Sequence, residues 1–454
     1  MYYRLAALLI IMGMLGLLYQ FDGEETHASE SATIAMGFLI VCAYLIGSAS
    51  TKIKLPRITG YIGAGLLLGP YGLHMLTKQT IADLDFINQM ALALIAFYAG
   101  GELRITKLKT YKNTLISIIS SQILIVAGVG FTLYLSQGYF TLFAGMNPLQ
   151  IVAVVSLIGV VCMARSPSTA IAIIDETRAQ GRVSEIVLGV TIALDVMVIV
   201  LFAITISLCE TLFDTSAAWD SQFIYILLTE ILVSVVVGVV LGFGLIRSMK
   251  HMQAILPIFL LTLGFLVVKF SYSLTEYLEH YHGIGLKAEP LLICISAGFI
   301  VQNYSQQGER FMKSLDKVSL LIYALFFSIS GASLNIKALQ SSWNIAIIIF
   351  LLRAIMIAVT TTGGAIGAND PKPARSLYWL GFIAQAGVTL GFAYEIARRF
   401  PDWGPELATI LVAVVGLNQV VGPITFKYGL ELAGETRGAI SYRELVQKKH
   451  SHPI

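Results

Sequence analysis

Apolar runs of about 20 residues recur from one end of the chain to the other, separated by short polar loops. A helix needs about that many apolar residues to cross roughly 30 Å of hydrocarbon. The pattern predicts spans at 3–19, 32–51, 57–75, 85–101, 113–136, 149–175, 184–209, 222–247, 253–275, 286–303, 317–338, 343–366, 375–397 and 404–428. The first is short, follows a single Arg4, and precedes Thr26-His27-Ala28-Ser29, a small-residue sequence of the kind cut after a signal peptide. Residues 1–28 therefore read as a signal-like or extra transmembrane segment, ahead of a membrane domain over 30–430 and a short cytoplasmic tail over 431–454. The fold expected is an all-α polytopic membrane protein, with 13 core transmembrane helices plus the N-terminal hydrophobic segment.

Composition agrees. Of 454 residues, 56% are hydrophobic and 13% charged, about half the charge of a soluble domain. No loop is long enough for a soluble catalytic module, and the chain contains neither G-x-x-x-x-G-K-[ST] nor G-x-G-x-x-G. No cofactor is expected. A net charge of +3 spread over short loops excludes nucleic acid as a partner. The four cysteines, Cys42, Cys162, Cys209 and Cys294, lie in apolar runs without C-x-x-C spacing, and read as packing residues. With no H-E-x-x-H, no paired intramembrane aspartates and no nucleophile–base pair in the spans, the chain does not read as an enzyme.

The lysines and arginines set the orientation. Alternate loops divide them 22 to 5, with Arg165, Lys269 and Arg353 inside spans. The richer side, which includes the 102–112 loop and the C-terminus, is the cytoplasmic one.

Two stretches share the pattern G-x-x-L-x-I: Gly100 to Ile105 and Gly331 to Ile336. One span earlier, Gly63-Ala64-Gly65 and Ala297-Gly298 occupy corresponding places, and the loop charges make the two copies run in opposite directions. Weak internal similarity with opposite topology marks an inverted-repeat secondary transporter. Such folds carry a pair of interrupted helices. In 149–175 the run Met163-Ala164-Arg165-Ser166-Pro167-Ser168-Thr169 buries a proline among polar residues, and in 375–397 the run Gln385 to Gly391 carries two glycines. Both loosen a helix, and the carbonyls set free at that depth are candidates for holding a cation.

Span 184–209 carries Asp195 near its centre. A carboxylate in mid-membrane costs about 2.5–3.5 kcal/mol on insertion scales and survives where it faces a cavity, a partner or an ion. It holds a proton or a small cation, but not both, which is the physical core of proton-coupled exchange. Arg353 is deep enough to need a counter-charge; it either anchors a helix break or pairs with a carboxylate, with Glu230 a candidate partner for it or for Arg165. Every histidine lies in a loop or tail, so the proton carrier has to be a carboxylate.

These residues resemble the monovalent cation:proton antiporter superfamily, closest to its second family of sodium/proton antiporters and Kef-type potassium efflux systems. Leu55-Pro56-Arg57-Ile58-Thr59-Gly60-Tyr61 through Gly69-Pro70 is similar to that family's L-P-x-x-x-G-Y-x-x-A-G-x-x-x-G-P helix. Phe97 to Leu103, Ser168 to Ala172, Ser296 to Phe299, Phe326 to Gly331 and Val421-Gly422-Pro423 follow in the family's order. The resemblance implies that 149–175 and 375–397 are crossed broken helices. It makes Asp195 the ion- and proton-binding residue with Ser168 and Thr169 beside it, and Arg353, Arg165, Gln385 and Glu230 supporting. It further implies a homodimer with interleaved core and dimerisation subdomains, in the plasma (inner) membrane of a bacterium.

Two departures bear on stoichiometry. Leu194 precedes Asp195, where electrogenic members carry a second Asp and electroneutral ones an Asn or Gln, and Val318 to Asn335 contains no lysine. One titrating carboxylate without a buried lysine points to electroneutral exchange of Na⁺ or K⁺ for H⁺. The long cytoplasmic nucleotide-binding domain of Kef-type members is absent from these residues, so regulation through one is not expected. The alternatives are a cation-coupled organic anion transporter of the same fold, with Arg165 as the anion's partner, and an uncoupled cation channel.

Overall fold

A computed structural model describes residues 28–213, 221–249, 255–282, 288–385 and 387–436. The predicted span 3–19, and most of the tail, lie outside them. Among the described residues there is no β-strand, and nine helices are long and apolar enough to cross a membrane by length and composition.

The chain divides into two compact units, each built from two separate stretches. Unit 1 takes the chain up to Arg104 and returns for Ile231–Leu334; unit 2 takes Ile105–Glu230 and Asn335 onward. Unit 1 opens with α1 (Ala28–Lys52), α2 (Arg57–Leu68) and α3 (Asp85–Glu102). Unit 2 follows with α4 (Lys112–Leu135), α5 (Pro148–Met163), α6 (Pro167–Thr177) and α7 (Arg182–Phe213). The boundary falls within α8 (Ser221–Met249), after which α9 (Leu256–His282), α10 (Pro290–Tyr304) and α11 (Gly308–Ala332) complete unit 1. Then α12 (Ile336–Gly367), a 3₁₀ turn at Tyr378–Phe382, α13 (Gly387–Arg399) and α14 (Gly404–Ala433) complete unit 2.

Several ends follow from local chemistry. Asn147 caps α5 by accepting from the Gln150 amide at 2.9 Å while Gln150 Oε1 accepts from the Asn147 amide at 3.0 Å, with Pro148 in the first turn. The last helix stops at Gly434, whose φ of 72° is open to glycine at no cost. The predicted span 57–75 is shorter as a helix, because the chain turns at Gly69-Pro70 after Leu68. The span predicted at 317–338 begins earlier, at Gly308, and ends at Ala332.

In unit 1, α3 packs on α10 and α2 on α11. Glycines make both crossings close. A methyl at Gly100 would strike the Ile295 carbonyl, and one at Gly298 the Phe97 carbonyl. Likewise a methyl at Gly65 would strike the Ser328 carbonyl, and one at Gly331 the Ile62 carbonyl. Backbones this close are what small residues permit between membrane helices.

In unit 2, α4 lies against α5 and α12, while α14 lies against α12, α13 and α6. The long helix α7 touches α5, α6, the 3₁₀ turn and α13. A polar clasp ties the start of α7 to the segment after α12. Arg182 donates to Asp370 Oδ1 at 2.5 Å, Thr114 to the same oxygen at 2.7 Å, and the Tyr378 hydroxyl to Oδ2 at 2.5 Å. The guanidinium also lies 4.7 Å over the Tyr111 ring. Burial alone would raise the Asp370 carboxyl, but the hydrogen bonds from Arg182, Tyr378 and Thr114 outweigh it and hold the group below its ordinary value.

Candidate ion-binding site

The first break follows from Pro167. A residue before proline is pushed out of the helical region, and Ser166 stands at φ −111°, ψ 99°, so α5 stops at Met163 and α6 starts afresh at Pro167. Ser166 caps α6 through the Thr169 amide at 3.2 Å, and its hydroxyl meets those of Thr169 at 2.8 Å and Ser168 at 3.1 Å. The second break has no proline. Its first arm is a 3₁₀ turn rather than an α-helix, and the chain runs unwound through Ile383, Ala384 and Gln385. Gly391, expected to loosen the span, instead lies within α13; the break falls earlier.

The two breaks cross. The Ser166 amide donates to the Ala384 carbonyl at 3.1 Å, and Gln385 Nε2 to the Val161 carbonyl at 2.8 Å. Arg353, fully buried on α12, joins them. Its Nε donates to the Cys162 carbonyl at 3.0 Å, and Nη2 to the carbonyls of Ala164 at 2.9 Å and Phe382 at 3.3 Å. Nη1 donates to the Ile383 carbonyl at 2.7 Å and Asn418 Oδ1 at 2.8 Å. Asn418 in turn donates to Gln385 Oε1 at 3.0 Å. Arg165 turns back on its own helix, donating to the carbonyls of Cys162, Met163 and Ala164 at 2.8–3.1 Å and to Gln122 Oε1 at 2.9 Å.

This geometry corrects three expectations. Arg353 takes no carboxylate as counter-charge, because carbonyls and Asn418 accept from all five of its N–H groups; Arg165 likewise bonds only neutral oxygens, so Glu230 on α8 is not their partner. Arg165 commits both terminal nitrogens to the end of α5 and to Gln122, which leaves only its buried Nε for an anion. And the freed carbonyls are not left for a cation: they meet two guanidiniums, which satisfy the negative end of a helix and repel a cation from it.

The opposite ends, where α6 and α13 begin, present amide groups and favour a negative charge nearby. Asp195 is buried on α7, which packs on both arms of the first broken helix and both arms of the second. Three contacts show that α7 and the second broken span run parallel: Arg182 Nε with the Tyr378 hydroxyl at 3.2 Å, the stacked rings of Phe202 and Phe392 at 4.0 Å, and Phe213 with Phe400 at 5.9 Å. From Arg182 to Phe202 the helix rises about 30 Å. From Tyr378 to Phe392 there are fewer residues, but a 3₁₀ turn and an unwound stretch rise faster per residue and cover about the same length. Asp195, about 10 Å before Phe202 along α7, therefore stands at the depth of the second break.

Thr191 lies one turn before Asp195 on the same face. It is 1% exposed, and its hydroxyl makes no hydrogen bond. Sequence reasoning passed over it, although the spacing of four from Asp195 was there to find.

Helix breaks that cross, with a buried carboxylate on a helix packed against both, are an arrangement that secondary transporters use. The chain belongs to the transmembrane sodium/hydrogen exchanger family, which matches residues 37–431. It is 29% identical over 182 residues to a probable Na⁺/H⁺ antiporter 3 of Methanocaldococcus jannaschii, covering 39% of this chain and 43% of that protein. It is 26% identical over 114 residues to the chloroplastic K⁺ efflux antiporter 2 of Arabidopsis thaliana, 25% of this chain and 10% of that one. The chain thus spans less than half the length of either relative. The fold is similar to that of the sodium proton antiporter MjNhaP1 of M. jannaschii in two structures. In the one at pH 8 the TM-score is 0.63 at 17% identity, over 93% of this chain and 99% of that one. In the electron-microscopy structure it is 0.66 at 18% identity, over 88% and 97%.

Proposed function

We propose that this protein exchanges a monovalent cation, Na⁺ or K⁺, for H⁺ by alternating access, with Asp195 binding one or the other. What carries this reading is the depth of Asp195: a buried carboxylate level with a helix break whose carbonyl ends are covered by arginine and whose open amide ends favour the charged carboxylate that a cation or a proton then binds. A proton or a cation on Asp195 each balances its charge, and competition for one carboxylate couples the two fluxes. Ser168, Thr169 and Thr191 supply oxygens for the cation, and Gln385, Asn418, Arg353 and Arg165 hold the crossing rigid. With Leu194 in place of a second ionisable or amide residue, the exchange is one for one and electroneutral. Unit 2, which carries the site, is the moving core, and unit 1 is the dimerisation domain of a homodimer. The glycine crossings support the inverted repeat: exchanging α3 for α11 and α2 for α10 turns the Gly100–Gly298 crossing into the Gly331–Gly65 one.

Proteoliposomes loaded with a pH-sensitive dye test the reading. Na⁺, K⁺ and Li⁺ added in turn to the wild type should move protons, and Asp195→Asn should abolish that movement for every cation. A wild type that moves no protons with any cation, or a mutant as active as wild type, overturns it.

A further inference from the structure

Threonine hydroxyls inside membrane helices usually bond the carbonyl four residues back. This chain follows the habit at Thr132 to Gly128, Thr205 to Leu201, Thr262 to Ile258 and Thr360 to Met356, at 2.7–3.0 Å. Thr389 does not. It sits in the first turn of α13, 1% exposed, and its hydroxyl has no hydrogen-bond partner. The residue four back is Gln385, in the unwound stretch, so the helical carbonyl it would use is missing. A buried hydroxyl left so is costly and asks for an explanation, of which a bound ion is one.

Its direction is fixed by its neighbours. Phe392, three residues on and on the same face of α13, stacks on Phe202 of α7. Thr389 therefore faces α7. Phe202 is seven residues beyond Asp195, two turns along the same stripe, so Asp195 faces α13. The Phe202–Phe392 stack closes the seam one turn beyond Thr389, and Thr389 stands between that closure and the break at the depth of Asp195.

We infer that Thr389 is a specificity-determining ligand, its hydroxyl oxygen binding the dehydrated monovalent cation held by Asp195. This brings the second broken helix into the coordination shell directly, and it rests on the antiport reading above. When Asp195 is protonated no cation is present, and the carboxyl proton and the Thr389 oxygen no longer share a charge between them.

The test compares Thr389→Val, which matches the shape and removes the oxygen, with Thr389→Ser, which keeps the oxygen and removes the methyl. Two readouts are taken: proton flux in proteoliposomes against Na⁺, K⁺ and Li⁺ concentration, and the rise in unfolding temperature of the purified protein with each cation. The valine variant should raise the half-saturating cation concentration about tenfold or more, with maximal rate within about twofold, and should lose most of the cation-induced stabilisation; serine should restore most of both. Valine indistinguishable from wild type overturns the inference. So do equal losses of rate in both variants at unchanged half-saturation, since packing alone then accounts for them. If wild type moves no protons with any cation, the antiport reading falls and the unfolding temperatures decide: cation stabilisation lost in the valine variant upholds the ligand, and no stabilisation by any cation removes it.

Discussion

At the residue scale, two arginines buried without carboxylates are the unusual feature, and their oxygens explain them. Helix ends leave carbonyls orphaned, and each break makes such an end where water does not reach. Arg353 suits the task because a planar guanidinium offers five donors in a fixed fork, where lysine offers three on a mobile ammonium. Arg353→Lys should therefore lower stability by about 2–4 kcal/mol, read as an earlier thermal unfolding in detergent; an unfolding temperature equal to wild type would contradict the bridging role. The sequence made Arg353 and Asp195 conspicuous, because charge inside an apolar run stands out. It hid Asn418, Gln122 and Thr191, since a lone amide or hydroxyl in such a run is common, and only the fold shows Asn418 accepting from Arg353 and Gln122 accepting from Arg165.

At the scale of elements, Pro167 announced the first break by itself. The second was misplaced by a few residues, because glycine permits an unwound backbone without requiring one: Gly391 is helical, while Ile383 and Ala384 are unwound around Arg353 and Ser166. The Asp370 clasp was not foreseen either, as it joins the starts of α4 and α7, the loop after α12 and the first residue of the 3₁₀ turn. Its pH dependence has a definite sign. A carboxyl held below its ordinary value of 3.8 adds stability at every pH above that value and loses it as pH falls through the lowered one. Asp370→Asn should thus cost about 1–3 kcal/mol at neutral pH, and the gap to wild type should close below roughly pH 4. Denaturation curves of both proteins across that range check it; a gap that persists in acid would show that charge is not what Asp370 contributes.

At the scale of the whole molecule, the sequence disclosed the helical class, while the division into two units came from packing between segments far apart in the chain. Orientation rests on the charge asymmetry of the loops and has its own test. The four native cysteines are buried, so they give little background to a membrane-impermeant thiol reagent. Cysteines placed at the exposed positions Lys109 and Lys372 should react from the cytoplasmic side only, and those at Lys78 and Lys337 from the other side only. Reaction of all four from one side would refute the topology.

The Arg353 bridge also bears on how the protein is made. The Cys162 and Ala164 carbonyls wait for a donor about 190 residues further along. At about 5–20 residues per second the ribosome needs roughly 10–40 s to supply it. Through that interval the first broken helix is already synthesised with Arg165 alone to cover its open end. A nascent chain stalled before α12 would hold an incompletely satisfied backbone, a mark by which quality control can tell an unfinished chain from a finished one.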